Sequence, residues 1–180
     1  MANGGRLGAR NVPGVDGVGG VWSLREIANA RRAGVWSADP YFTNVVALLH
    51  MDGADGSTTF TDVKGHAFTA AGSAQIDTAQ SKFGGASGLF AGPNDDISTP
   101  SSSDFAYGIG DFTWELWVRM SAIVTNQYFL DHGTDGGTIS YYSGSLRYYN
   151  PTTGVGSALY TTSIPLVVNT WYHIAAAATG

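Results

Sequence analysis

The chain has 180 residues, 43% of them apolar, which is enough for one domain with a core and a smaller appendage. Charged residues make up only 13%, about half of the usual share of roughly 25%, and with no cysteine present disulfides contribute nothing. The charge is also uneven: residues 1–36 carry five arginines against two carboxylates, whereas the rest carries four cations against twelve carboxylates. A basic leader ahead of an acidic body implies two parts with different partners, and such a body should repel nucleic acid rather than bind it. No run is long enough to span a bilayer.

Residues 1–20 contain seven glycines among polar residues. They lack the apolar stretch of a secretory signal peptide and read as a flexible arm. The expectation is a protein made in the cytoplasm that leaves by assembly or lysis. Ser23-Leu24-Arg25-Glu26 then fits a capping box, with Trp22 and Ile27 placed for a hydrophobic staple. Leu24, Ile27, Ala28 and Arg31 share one face, and Arg31 and Arg32 lie at the negative end of the helix dipole before Gly34. This predicts a helix over about residues 24–33. A helix of three turns needs a docking surface, so Trp22, Leu24, Arg25, Ile27, Arg31, Arg32 and Trp36 form a candidate attachment face, either for the chain's own body or for another protein. Residues 1–40 are read as this attachment segment.

From residue 41 to residue 180 helical periodicity disappears and short β-branched or aromatic runs alternate with turn residues. Residues 45–51 look like a strand buried on both faces. Weaker strands are predicted at 67–70, 74–78, 87–91 and 96–99. The clearest one is 111–120, where Phe112, Trp114, Leu116 and Val118 should face the core while Thr113, Glu115, Trp117 and Arg119 take the other face. Thr138–Tyr142 and 145–149 flank Ser143-Gly144 as a two-residue hairpin, and 157–162 and Trp171–Ala178 follow. About ten short strands with frequent turns predict an all-β fold, an antiparallel jelly-roll sandwich behind one short helix.

Four blocks carry a resemblance: 44–53 (NVVALLHMDG), 82–90 (KFGGASGLF), 110–118 (GDFTWELWV) and 170–175 (TWYHIA). In this order they resemble the laminin-G-like branch of the concanavalin-A-like lectin/glucanase superfamily. The leader around Trp22 and Trp36 resembles segments that precede such domains in bacteriophage tail and fibre proteins. The resemblance implies a virion structural protein, a tail, fibre or decoration component assembled with other virion proteins as a homo-oligomer, its body exposed for interaction or for adhesion to a host-surface glycan. A ligand-free structural interaction module is an alternative, and charge and hydropathy give no nucleic-acid or membrane partner. Family members usually continue beyond the last block with further strands. The sequence therefore leaves open a truncated chain, completion by another subunit, or a roll closed with fewer strands.

The resemblance also raises an enzymatic alternative, a polysaccharide-degrading glycosidase, which needs two carboxylates about 5–10 Å apart. The glucanase Glu-x-Asp-x-x-Glu pattern is absent; Glu115 has no acidic neighbour two or four residues away, and the other glutamate is Glu26. Glu115 reads instead as solvated or paired with Arg119. His50 and His173 lie in apolar runs and read as core or edge histidines, and no nucleophile elbow, zincin or phosphate-loop motif occurs. The expectation is no catalysis. Calcium is a candidate cofactor because twelve aspartates stand against two glutamates and the ion prefers loop oxygens. Asp131 and Asp135, and Asp95 and Asp96, are the candidate ligands, although such clusters are equally ordinary turn formers. Asp131, His132, Asp135, Tyr142 and Tyr149 form the candidate glycan site, the tyrosines because alternate residues of a hairpin arm present their rings to one face.

Overall fold

The computed structural model describes residues 41–106, 110–133, 137–150 and 158–179. The predicted arm and helix, with Trp22, Leu24, Arg25, Ile27, Arg31, Arg32 and Trp36, lie outside the described residues, as does Asp135. The chain divides into two units, 1–48 and 49–180. In the first, the described part is a 3-10 turn at Phe42–Asn44 and the extended residues after it.

The second unit is antiparallel β structure throughout, and none of its described helices is long and apolar enough to cross a membrane. Strands β1 (Thr59–Thr61), β2 (Ala67–Ala71) and β5 (Asp96–Ser98) form a three-stranded sheet in the order β1-β2-β5. β3 (Gln75–Asp77) pairs with β4 (Ser87–Leu89). β6 (Phe112–Arg119) pairs along its whole length with β11 (Trp171–Ala178). β7 (Asn126–Asp131), β8 (Thr138–Tyr142), β9 (Ser145–Asn150) and β10 (Ala158–Ser163) form a four-stranded sheet in the order β10-β9-β8-β7.

Residues 45–51 do not form the expected strand. They make a single bridge, Leu49 to Asp62, and then turn at Met51, whose φ of 57° is left-handed and ends any extended run. Their apolar character serves packing instead: Leu49 and Met51 lie against a buried cluster of Phe60, Ile76 and Ala86, together with Phe68, Ala70 and Ile97. β1 and β7 were not anticipated. The first is only three residues of Thr-Phe-Thr. The second carries a bulge between Tyr128 and Leu130, which breaks the two-residue period that a sequence pattern would show.

The alternation along β6 holds. Phe112, Trp114, Leu116 and Val118 are half-buried, while Thr113, Glu115 and Trp117 are exposed. The inner rings meet the four-stranded sheet: Phe112 and Trp114 each place their ring centroids 6.1 Å from that of Tyr148 on β9. This ring contact makes the two sheets the layers of a sandwich. Gly137 fits this packing because a Cβ there would come within 2.5 Å of the Tyr148 ring. The hairpin between β8 and β9 has left-handed φ at both turn residues, 47° at Ser143 and 83° at Gly144, the geometry whose twist matches the strands it joins. Ser143 also donates its N–H to the Thr125 carbonyl.

Candidate functional site

The β8–β9 hairpin sorts its four tyrosines between the two faces of its sheet. Tyr141 is buried and donates its hydroxyl to the Ile164 carbonyl, and Tyr148 packs on Phe112 and Trp114. Tyr142 and Tyr149 point the other way and are 38% and 39% exposed. The register extends this outer face across three strands. Asn126 opposes Tyr142, Tyr128 and Arg147 flank Ser140 from either side, and Asp131 and Tyr149 flank Thr138.

Tyr128, at 67% exposure, is the most open ring on this face. Asn126 donates to its hydroxyl at 3.4 Å. The Arg147 guanidinium carbon lies 4.0 Å from the Tyr142 ring centroid, a cation–π contact. Arg147 meets no carboxylate among the described residues, and its Nε is buried without a hydrogen bond. The result is three exposed tyrosines around a cation held by a ring. Tyr142 and Tyr149 were legible from the hairpin; Tyr128 and Arg147 join them only through the register of a strand that the sequence concealed.

The other candidates divide. Asp131 is exposed at the end of β7, where one carboxylate oxygen accepts from the Gly133 N–H and the Thr138 hydroxyl. His132 turns inward and leaves this face. Its Nε2 donates to the Phe105 carbonyl at 2.8 Å, and its ring stacks on Trp114 at 5.5 Å. Asp95 is committed elsewhere. One of its oxygens accepts from the Ser73 N–H, and the other accepts from the Ser73 hydroxyl and the N–H groups of Ala91 and Gly92. These donors, led by Ser73, hold its pKa down at about 2. A calcium ion would have to displace donors that already satisfy the carboxylate, so Asp95 is a loop clamp and does not fit a calcium cradle. Asp96 is exposed on β5, and among the described residues no three His, Asp or Glu side chains stand together as a metal site.

Two clusters had no sequence signal. In the first, His66 lies between two carboxylates, its Nδ1 2.7 Å from Asp62 and its Nε2 3.1 Å from Asp104. The Asp62 side chain is fully buried, while that of Asp104 is open to water. Because each carboxylate only accepts, both contacts require the doubly protonated imidazolium. Accordingly the hydrogen bond to Asp62, followed by that to Asp104, raises the His66 pKa. The cluster ties the turn after β1 to the 3-10 turn Ser103–Phe105.

The second cluster lies on the outer face of β6 and β11. Here Trp117 meets His173 and Phe83, and Glu115 lies 3.3 Å from His173. Glu115 is thus exposed and paired with His173 rather than Arg119, and His173 stands on the exposed face of its strand, not in the core. His50 is exposed as well.

Residues 90–180 match the family model described as Laminin_G_3, concanavalin A-like lectin/glucanases superfamily, a match covering half of the chain. The chain belongs to the concanavalin A-like lectin/glucanase superfamily. No curated protein and no solved structure matches it. The matched part of this concanavalin A-like chain contains β6 through β11, and with them the inward rings of Phe112 and Trp114 and the outward rings of Tyr128, Tyr142 and Tyr149. A superfamily whose description joins lectins and glucanases fixes the fold and leaves the chemistry to the individual site.

Proposed function

We propose that this concanavalin A-like protein is a non-enzymatic, glycan-binding structural component of a bacteriophage particle, a tail, fibre or decoration protein. The outer face of the four-stranded sheet binds the glycan of a host surface. The observation that carries this reading is the set of exposed rings of Tyr128, Tyr142 and Tyr149 around Arg147. Rings suit the apolar faces of sugars, and a guanidinium offers a planar fork of donors to ring oxygens and hydroxyls. Glu115 supports binding over hydrolysis, because the side chain it meets, at 3.3 Å, is His173 rather than a second carboxylate.

Glycan-array binding by the full chain tests the adhesive role. The double variant Tyr142→Ala/Tyr149→Ala should lose about tenfold or more in affinity for whatever neutral glycan the native protein selects, with an unchanged circular dichroism spectrum. An unchanged array profile in that variant would remove this face from the function.

The attachment role falls to residues 1–36, whose five arginines contrast with the acidic remainder. Removing them should give a protein that still folds but is missing from assembled particles, as read by immunoblot of purified virions. Normal incorporation of the shortened chain would refute the anchor.

A further inference from the structure

The acidic part of the chain, residues 37–180, has four cationic side chains, Lys64, Lys82, Arg119 and Arg147. One of them, Lys82, lies on an exposed aromatic corner on the outer face of β6 and β11, and a second, Arg119, stands two residues further along β6. Trp117 on β6 is 40% exposed and Phe83, in the loop between β3 and β4, is 66% exposed. Their rings stand at 87° with centroids 5.6 Å apart, like two walls of a corner. The Lys82 ammonium lies 4.2 Å from the centre of the Trp117 ring and 5.6 Å from that of Phe83. Arg119 follows Trp117 by two residues on the same face of β6, and His173, the cross-strand partner of Trp117, closes a third side with its ring 5.1 Å away.

Neither Lys82 nor Arg119 meets a carboxylate among the described residues, although aspartates outnumber cations in the chain; the nearby Glu115 is engaged by His173 instead. A self-contained fold would be expected to satisfy such charges with its own abundant carboxylates or to leave them singly in water. Here Lys82 stands against two large exposed rings that water solvates poorly, with Arg119 next along the same strand face as Trp117. That combination fits a ligand that has an apolar face and carries its own negative charge.

We propose that the Trp117–Phe83 corner is a second binding site, specific for a carboxylated pyranose such as a hexuronate unit of an acidic polysaccharide. The apolar face of the sugar stacks on the exposed Phe83 ring, and its carboxylate takes the ammonium of Lys82, which the Trp117 ring holds in place, with Arg119 adding long-range attraction. The overall acidity of residues 37–180 disfavours a dense polyanion such as nucleic acid, against which the two cations would be outweighed. This deepens the glycan-binding reading but depends on different residues, so either site can fail without the other.

The test is titration calorimetry of the full chain with a galacturonate tetrasaccharide and with the galactose tetrasaccharide of the same linkage. The native protein should prefer the acidic oligomer, Trp117→Ala should weaken its binding by about tenfold or more, and Lys82→Met should abolish the preference. Val167→Ala, at an exposed position between β10 and β11, should leave the acidic oligomer's affinity unchanged. Lys82 lies in a loop between strands, so Lys82→Met keeps the test decisive even if Trp117→Ala fails to fold. Equal affinity for the two oligomers in the native protein, a preference that survives Lys82→Met, or equally tight binding of an acidic peptide or of single-stranded DNA at this corner would overturn the proposal.

Discussion

Ile76→Ala and Ile139→Ala should each destabilise the protein by about 2–5 kcal/mol. Ile76 is fully enclosed, at 0% exposure, and Ile139 is nearly so at 1%. Each truncation removes buried carbons and leaves a space that its neighbours fill only in part. Around Ile76 those neighbours are Phe60 and Ala86, with Leu49, Met51, Phe68, Ala70 and Ile97. Its main chain is pinned as well, the N–H to the Ser57 carbonyl and the carbonyl to the Gly56 N–H, so the strand cannot sink inward to close the gap. Against a total stability of about 5–15 kcal/mol, either change consumes a large share. Urea unfolding followed by circular dichroism measures it: the midpoint should fall steeply for both variants and hardly move for Val167→Ala, whose side chain is exposed. Equal midpoints for the three would mean that these isoleucines are not the centres of the core.

The elements that the sequence revealed share one property: their pattern depends on side-chain alternation or a turn rule acting over a few residues. β6 shows its inner rings every second residue, and β8 and β9 announce themselves by Ser143-Gly144 between two tyrosine pairs. The elements it concealed depend on partners far along the chain. Residues 45–51 have the composition of a buried strand, but their hydrogen bonding is decided by Met51's left-handed backbone and a single bridge to Asp62. Tyr128, Phe129 and Leu130 run together without alternation because a bulge resets the register between them.

The site follows the same division. Tyr142 and Tyr149 were readable because adjacent residues on one hairpin arm must face opposite ways. Lys82 and Trp117 are 35 residues apart and His66 and Asp104 are 38 apart, and nothing local in either segment marks the other. Asp95 shows the converse failure. In sequence it is one of a pair of aspartates suited to a metal, whereas in the fold its oxygens are filled by donors from two loops. Composition identified the residue as chemically important without identifying the chemistry.

Stability should be greatest between about pH 4 and pH 6.5 and should fall on both sides, for two separable reasons. On the acid side, Asp95 has a folded-state pKa lowered to about 2, held there by Ser73, Gly92 and Ala91. A depressed carboxylate pKa stabilises the fold above the unfolded value of roughly 4, and that contribution is lost as pH falls toward 2. On the other side, His66 has a raised pKa, chiefly through its hydrogen bond to Asp62 and then through that to Asp104. A raised imidazole pKa stabilises the fold fully below the unfolded value of about 6.5 and ceases to do so as pH climbs through the folded value. Once neutral, the ring carries one proton and can donate to only one of its two carboxylates. With Asp62 enclosed and Asp104 in water, the bond across to Ser103–Phe105 is the one that gives way. Thermal melts across this range should therefore show a plateau with two shoulders. His66→Asn should flatten the alkaline shoulder alone, and Asp95→Asn should lower the plateau and weaken the acid one. If His66→Asn leaves the melting profile above pH 6.5 as steep as before, the imidazolium bridge between β1 and the 3-10 turn is not what the fold loses as its proton leaves.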